Sequence, residues 1–345
     1  MASVDVVVPC YKYARYLRAC VQSILSQENV DVRVLIIDDH SPDDTPEVGG
    51  ALAREDSRVT YVRNEVNLGH IATYNKGLAK ATADYVALLS ADDLLTPGAL
   101  GRAAALMDAN PSVGLAYGNP ISLYGDEVPR ARTQSTGNTV WKGPDWIRLM
   151  CQAGRNFINC PEAVMRTSVL HRLGGYKAAL PHSADMEMWL RAAAISDVGR
   201  VNGADQAYYR VHSQSMQRTI FAGVMPDLIG RRDAYISALT GGDVVVDDAN
   251  ALLDTARRAV ALDAVKWAVR TVKSKTPDLA LIEQYRQFAL STSPGIEQTP
   301  EWNALARRTV AGPGLRATLV RILSAKIEHF QHQRSWRKWW RTGVY

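Results

Sequence analysis

Two hydrophobic rhythms alternate along the first 118 residues. Short, nearly continuous apolar runs fall at 4–8, 32–37, 58–63, 84–89 and 113–117, the pattern of strands buried on both faces of a parallel sheet. Between them the apolar positions recur at helical spacing. Tyr16, Leu17, Cys20, Val21, Ile24 and Leu25 share one face of a helix predicted within 13–27. Further helices are predicted at 46–54, 71–81 and 98–110, the last stopped by Pro111. This alternation specifies an α/β fold: a mixed, mainly parallel sheet with right-handed crossovers and helices on both faces.

After Gly118 the rhythm changes. Residues 119–140 are polar and turn-rich, which reads as a long loop able to cover a site. A helix is predicted at 145–153, a short strand at 161–165, a helix at 186–196, and one or two strands over 197–211. From 222 onward the chain is helix-biased, its longest candidate spanning 249–273. The organisation expected is a domain at 1–221, divided at 118 into two halves, followed by a helical region at 222–345.

An apolar fraction of 47% and a charged fraction of 22% are ordinary for a soluble globular protein. Cys10, Cys20, Cys151 and Cys160 show no C-x-x-C spacing, which argues against a zinc site or a disulfide framework and suits a reducing compartment. The N-terminal residues lack a basic leader, and no apolar run approaches the roughly 18 residues of a membrane span. A cytoplasmic location is the expectation.

The net charge of +5 is uneven. From Arg316 onward there are seven Lys or Arg against one Glu, leaving 33 basic and 34 acidic residues before it. A near-neutral body argues against a nucleic-acid enzyme. The basic tail interleaves Lys326, Arg334, Arg337, Lys338 and Arg341 with Leu323, Ile327, Phe330, Trp336, Trp339 and Trp340. It suits a peripheral contact with the inner face of a membrane, a helix packed on its own body, or a contact between copies.

The chemistry concentrates where apolar runs end. Val34-Leu35-Ile36-Ile37 leads into Asp38-Asp39, and Tyr85-Val86-Ala87-Leu88-Leu89-Ser90-Ala91 into Asp92-Asp93. Ligands of open α/β sheets bind at the carboxyl ends of strands. Four carboxylates gathered there call for a cation, and a divalent metal carrying a diphosphate is the natural one. A plainer reading also exists: Asp38 or Asp39 caps a helix after Ser41, and Asp93 or Thr96 caps one near Gly98. Asp185, at the start of a predicted helix, is either a cap or a functional carboxylate. His212, just past a strand, is either a packed histidine or a ligand of metal or phosphate.

The motifs gain meaning from their order. Val6-Val7-Val8-Pro9-Cys10-Tyr11, Ser23-Ile24-Leu25-Ser26-Gln27, Asp38-Asp39, Asn67-Leu68-Gly69, Asn75-Lys76-Gly77, Asp92-Asp93, Gly174-Gly175-Tyr176, Asp185 to Arg191 and Tyr209-Arg210-Val211-His212 follow one another. From Val4 to about Ser215 the chain resembles family 2 glycosyltransferases of the GT-A fold. The resemblance implies that Pro9 and Tyr11 line a nucleotide pocket, with Asp38 and Asp39 on base and ribose. It implies Asp92 as the ligand of Mn²⁺ or Mg²⁺, Asp93 beside the nucleotide, His212 reaching metal or diphosphate, and Asp185 as the acceptor-activating base. Glu187 is the competing acid or base, although two residues further along a helix it points elsewhere.

Ser90 stands where the family has the first aspartate of a D-x-D element, and Lys12 replaces a common asparagine. The implied reaction is inverting transfer from a nucleotide-diphosphate sugar, UDP favoured, to a hydroxyl of a saccharide or lipid-linked saccharide in bacterial surface polysaccharide or glycolipid synthesis. A sugar-nucleotide nucleotidyltransferase would carry a Gly-rich basic loop where this chain has Pro9-Cys10-Tyr11-Lys12-Tyr13. A NAD enzyme would show G-x-G-x-x-G there. An inactive sugar-nucleotide-binding partner is the non-enzyme alternative.

Overall fold

Valine and isoleucine, stiff at χ1 and suited to a pleated surface, fill the first strands. The structure, a computed structural model, describes residues 1–274, 276–310, 333–334 and 337–344. Strand β1 (Ser3–Cys10) pairs in parallel with β2 (Asp31–Asp38), setting Val6 opposite Val34 and Cys10 opposite Asp38. β3 (Val59–Arg63) lies parallel to β2 and β4 (Tyr85–Leu88) parallel to β1. The remaining strands are β5 (Leu94–Leu95), β6 (Val113–Tyr124), β7 (Gly137–Trp141), β8 (Val164–Arg166) and β9 (Asp197–Val211). They continue the sheet in the order β3-β2-β1-β4-β8-β6-β9-β5, with β7 also paired to β9. β8 is antiparallel to both its neighbours, so the expected mixed, mainly parallel α/β sheet is present.

The first half follows the hydrophobic rhythm closely because its strands are local, buried and short. The helix Ala14–Leu25 buries Leu17, Cys20, Val21 and Ile24, four of the six positions that predicted it. One expectation holds only in part. The loop foreseen at 119–140 is strand at both ends, since β6 runs to Tyr124 and β7 begins at Gly137, which leaves 125–136 as loop. Asn119, Pro120 and Ser122 look like turn residues, yet all three pair with β9, a segment some 85 residues away. Gly118 marks the irregularity: a Cβ there would lie 2.4 Å from Gln206 Cγ. The true loop, 125–136, is bonded to β9. Pro129 accepts from the Tyr208 hydroxyl at 2.9 Å, Gly125 from Arg210 at 2.7 Å, and Arg132 pairs with Asp205.

The chain divides into two compact units, 1–147 with 158–222 and 243–245, and 148–157 with 223–242 and 246–345. The first holds the sheet. Within the second, the helices Val224–Thr240, Ala249–Val272 and Leu279–Thr292 bury Leu228, Val260, Ala264 and Phe288. Its buried Asp263 is shared by Arg231 at 2.9 Å and Arg155 at 2.8 Å, so no charge there is left uncompensated. Of the tail, Leu323, Lys326, Ile327, Phe330 and Trp336 lie outside the described residues. Trp339 is buried in the second unit, its indole N–H donating to the Phe157 carbonyl at 3.1 Å. No described helix is long and apolar enough to cross a membrane.

Gly77 decides how closely the helix His70–Leu78 lies on the sheet. A Cβ at this position would meet Val7 Cγ1 at 2.3 Å and Ile37 Cδ1 at 2.9 Å. Gly77→Ala is expected to destabilise the protein by about 1–3 kcal/mol through overpacking, read as a lower midpoint in urea unfolding.

Candidate active site

Because β2, β1 and β4 are neighbours running the same way, their carboxyl ends bring Asp38-Asp39, Pro9-Cys10-Tyr11 and the turn Ser90–Asp93 to one edge. Pro9 is buried and Tyr11 is 40% exposed. Lys12 adopts a left-handed φ of 63° and its N–H donates to Ser41 Oγ at 3.2 Å. That bend turns the chain away from the sheet immediately after Tyr11.

The first aspartate pair holds protein rather than capping a helix. Asp38, fully buried, accepts from the Ser41 N–H at 2.7 Å and the Tyr61 hydroxyl at 2.8 Å, with Arg63 Nε at 3.3 Å. Asp39 accepts from the Leu68 N–H and Asn64 Nδ2, both at 2.8 Å, through Oδ1, and from the Gly69 N–H at 2.9 Å through Oδ2. The following helix, Thr45–Glu55, is instead served by Asp43, which accepts from the Thr45 hydroxyl at 2.6 Å. Asn64, not singled out from the sequence, links the parts. Its other amide bond goes to Thr73 at 3.2 Å, and its carbonyl oxygen accepts from Lys76 at 2.6 Å. Three short motifs scattered over forty residues thus form one network around Asp39.

The second pair is different. Asp92 and Asp93 are both buried, and Asp93 accepts the Arg210 N–H at 2.8 Å. Arg210 Nε donates to the Asp92 carbonyl at 2.8 Å, and its guanidinium lies 4.4 Å over the Tyr16 ring. Asp92 Oδ2 is 2.9 Å from His212 Nε2. His212 Nδ1 accepts the Gln214 N–H at 3.3 Å, so the neutral ring carries its proton on Nε2, aimed at Asp92. Tyr13 and Tyr16 pack on the imidazole at 5.6 and 5.7 Å. Burial first, and then the charge of Asp92, push the Asp93 carboxyl well above the usual range.

Asp185 sits in the first turn of the helix Ala184–Ile195, half-buried, with Oδ1 accepting the Met186 N–H at 2.7 Å. Its charge, with those of Asp92 and Asp93, acts on the buried hydroxyls of Tyr74 and Tyr209 and raises both, after burial itself. The fold therefore gathers Asp92, Asp93 and Asp185 around shared neighbours. Glu187 is not among them. It is fully buried, with Oε1 and Oε2 both 2.9 Å from Arg191 Nε. Arg191 also binds the carbonyls of Leu173 at 2.6 Å and Gly175 at 2.8 Å. Glu187 is thus a buried structural ion pair, which removes it as the competing base: two residues beyond Asp185, it faces the core.

Glu162 went unnoticed in the sequence. Its one signal is an acidic residue inside the apolar run Ala163-Val164-Met165 and its approach. Oε1 accepts the Asn159 N–H at 2.6 Å, while the buried Oε2 has no hydrogen-bond partner among the described residues. Burial, with Asp185 adding to it, pushes the carboxyl up to about 8. At neutral pH Glu162 is therefore a neutral acid.

Among the described residues no three His, Cys, Asp or Glu side chains gather as a metal cage. A cation that arrives with phosphates needs fewer protein ligands. Asp92 and His212 present a carboxylate oxygen and an imidazole nitrogen side by side, next to the buried Asp93. The donor set fits Mn²⁺ or Mg²⁺ carried by a diphosphate. Binding through His212 Nε2 would shift the ring proton to Nδ1 and give up the Gln214 contact.

Residues 5–174 match the family model described as glycosyl transferase family 2. An uncharacterized protein of Mycobacterium tuberculosis is 29% identical over 205 residues, covering 56% of this chain and 63% of that protein. Two further curated relatives are covered over 41% and 65% of their lengths. Among solved structures, S. aureus TarS 1–349 in complex with UDP matches with a TM-score of 0.55 at 14% identity, over 87% of this chain and 92% of that one. The mannosyltransferase PcManGT from Pyrobaculum calidifontis, in complex with GDP-Man and Mn²⁺, gives 0.52 at 16%, over 96% and 82%. At these identities the likeness is one of fold, the GT-A type of α/β sheet.

Glu162 makes a signed prediction. Between an ordinary carboxyl value of 4.5 and about 8 the native state holds a proton that the unfolded chain releases. This contribution to stability is full below the unfolded value and is lost as pH rises through the folded one, at up to about 1.4 kcal/mol per pH unit. Glu162→Gln never ionises, so its stability relative to wild type should increase steadily from pH 5 to 8. Parallel denaturant titrations check this; a pH-independent difference would contradict it.

Proposed function

Residues 5–174 belong to the family 2 glycosyl transferases, and from that premise we propose that the chain moves a sugar from a nucleotide-diphosphate donor to an acceptor hydroxyl. The observation that carries this reading is the Asp92–His212 contact at 2.9 Å beside Asp93, in the same carboxylate-rich region as Asp185. A UDP-sugar is the favoured donor, in keeping with the UDP complex of TarS, while the GDP-Man complex of PcManGT leaves room for guanosine. The acceptor is a saccharide, free or lipid-linked, of a bacterial surface polysaccharide or glycolipid. In this reading residues 1–221 are the transferase region and 222–345 its helical companion.

The side chains divide the work. Tyr11, exposed at the sheet edge, offers a ring face to the base. Asp39 Oδ2, with one protein bond, retains a lone pair for a base or ribose donor, and Asp38 holds the neighbouring turn. Pro9 shapes the pocket floor. Asp92 and His212 would hold the divalent cation, Mn²⁺ or Mg²⁺, which when bound neutralises the departing diphosphate. Asp93, tied to the Arg210 backbone, keeps Asp92 in place.

Asp185 accepts the proton of the attacking hydroxyl as the new bond forms. Its position in the first turn favours the anionic carboxylate before the proton arrives. One base and no protein nucleophile give inversion at the anomeric carbon. Arg334, Arg337, Lys338 and Arg341 are exposed near the C-terminus, a basic set suited to peripheral contact with an anionic membrane. Because Trp339 is buried in its own unit, this attachment would be electrostatic.

Asp185→Asn should lower transfer by at least a hundredfold while UDP still raises the melting temperature in the presence of Mn²⁺. Asp92→Asn should remove the Mn²⁺-dependent part of that shift, since a ligand stabilises by mass action. Retained turnover in the first variant, or an unchanged metal response in the second, rejects the respective role. Flotation with phosphatidylglycerol liposomes tests the basic set: exchange of Arg334, Arg337 and Lys338 for Glu should abolish recovery with the lipid.

A further inference from the structure

A set of rings beside Asp185 has no part in the chemistry above. His70 opens the helix His70–Leu78, and its Nε2, facing the Pro181 carbonyl at 2.9 Å, donates to it. That bond ties the helix to the loop leading to Asp185. One turn on, Tyr74 meets His70 edge to face at 5.5 Å. From the other side, the Phe221 ring lies 4.7 Å from His182 at an interplanar angle of 35°, and 6.3 Å from His70. His182 precedes Asp185 by three residues. His70, His182 and Phe221 are all partly exposed, and Ile220 beside them is 70% exposed.

At its inner end the cluster reaches the reacting region. The Tyr74 ring also meets Tyr176 edge to face at 6.0 Å, and burial, then Cys160, Asp92, Asp185 and Asp93, raise its hydroxyl. Grouped, partly exposed ring surface is retained where a ligand covers it. A pyranose has a face of C–H bonds with slight positive charge, which packs on the negative face of an aromatic ring. Its hydroxyls stay at the rim, free for Asp185. An open-chain polyol has no such face. An anionic sugar would bring a second negative charge up to Asp185, the proposed base, and be repelled.

We propose that His70, Tyr74, His182 and Phe221 form an acceptor platform, on which a neutral pyranose packs with one hydroxyl directed to Asp185. The proposal rests on the glycosyl-transfer reading and adds to it the class of acceptor and the residues that select it.

Saturation-transfer NMR on the full chain with UDP and Mn²⁺ tests it, using methyl β-glucoside, methyl β-galactoside and methyl β-N-acetylglucosaminide against methyl glucuronide and ribitol. At least one neutral glycoside should receive saturation at its ring C–H positions, and the other two probes should not. Phe221→Ala and His182→Ala should each weaken that binding about tenfold, with Phe221→Tyr restoring most of it. The UDP-dependent thermal shift of the same samples confirms that each variant is folded. Absence of saturation for every neutral glycoside, equal saturation of ribitol or glucuronide, or alanine variants within twofold of wild type would overturn the platform. Failure of the transfer reading looks different: the glycoside binds, yet no UDP-sugar is cleaved in its presence.

Discussion

Repulsion among carboxylates in a low-dielectric setting is the constraint around which the site is arranged. Asp92, Asp93, Asp185 and Glu162 share neighbours, and like charges so placed cannot all ionise without help. Each is handled differently. Asp93 takes the Arg210 N–H and Asp92 takes His212, while Asp185 stands in the first turn of a helix whose N-terminus favours negative charge. Glu162 keeps its proton, pushed up to about 8. The balance of these charges is what the proposed cation and diphosphate would complete.

The two aspartate pairs look alike as sequence and differ as structure. Both follow a buried parallel strand and arrive at the same sheet edge. The first pair spends most of its hydrogen-bonding capacity on the protein, gathering Ser41, Tyr61, Asn64, Leu68 and Gly69. It thereby fixes the turn that launches the helix carrying His70 and Tyr74. The second pair faces inward toward His212 and Arg210, which lie almost 120 residues later. A shared pattern at the strand ends hides a division between building the pocket wall and furnishing its charge.

The helix Ala184–Ile195 shows the same economy of position. Asp185 and Glu187 are two residues apart, and the helical turn sends them to opposite fates. One is half-exposed near the other carboxylates; the other is buried in a bidentate pair with Arg191 that also clamps the Leu173 and Gly175 carbonyls. The Glu187–Arg191 pair holds the helix so that Asp185 is presented at its start. Lys177, 3.4 Å from Glu187 and paired with Asp243, reinforces that end.

What the sequence determined by itself was whatever depends on nearby residues. The alternating rhythm of the first 118 residues located β1 to β4 and their helices, because buried strands and one-sided helices are local patterns. The ordered motifs located Asp38-Asp39, Asp92-Asp93, Asp185 and His212 as the residues to examine. What only the tertiary structure decided was whatever depends on distant partners. β9 turned the two ends of the apparent loop after Gly118 into strand, and Asn64 emerged as the hub joining three motifs. Glu162 became a neutral acid because its surroundings exclude water, and Glu187 left the site because Arg191 claimed it. Phe221 met His182 and His70 only once the chain after His212 had folded back. Local patterning is written in the spacing of side chains, whereas burial, pairing and charge depend on which strands become neighbours.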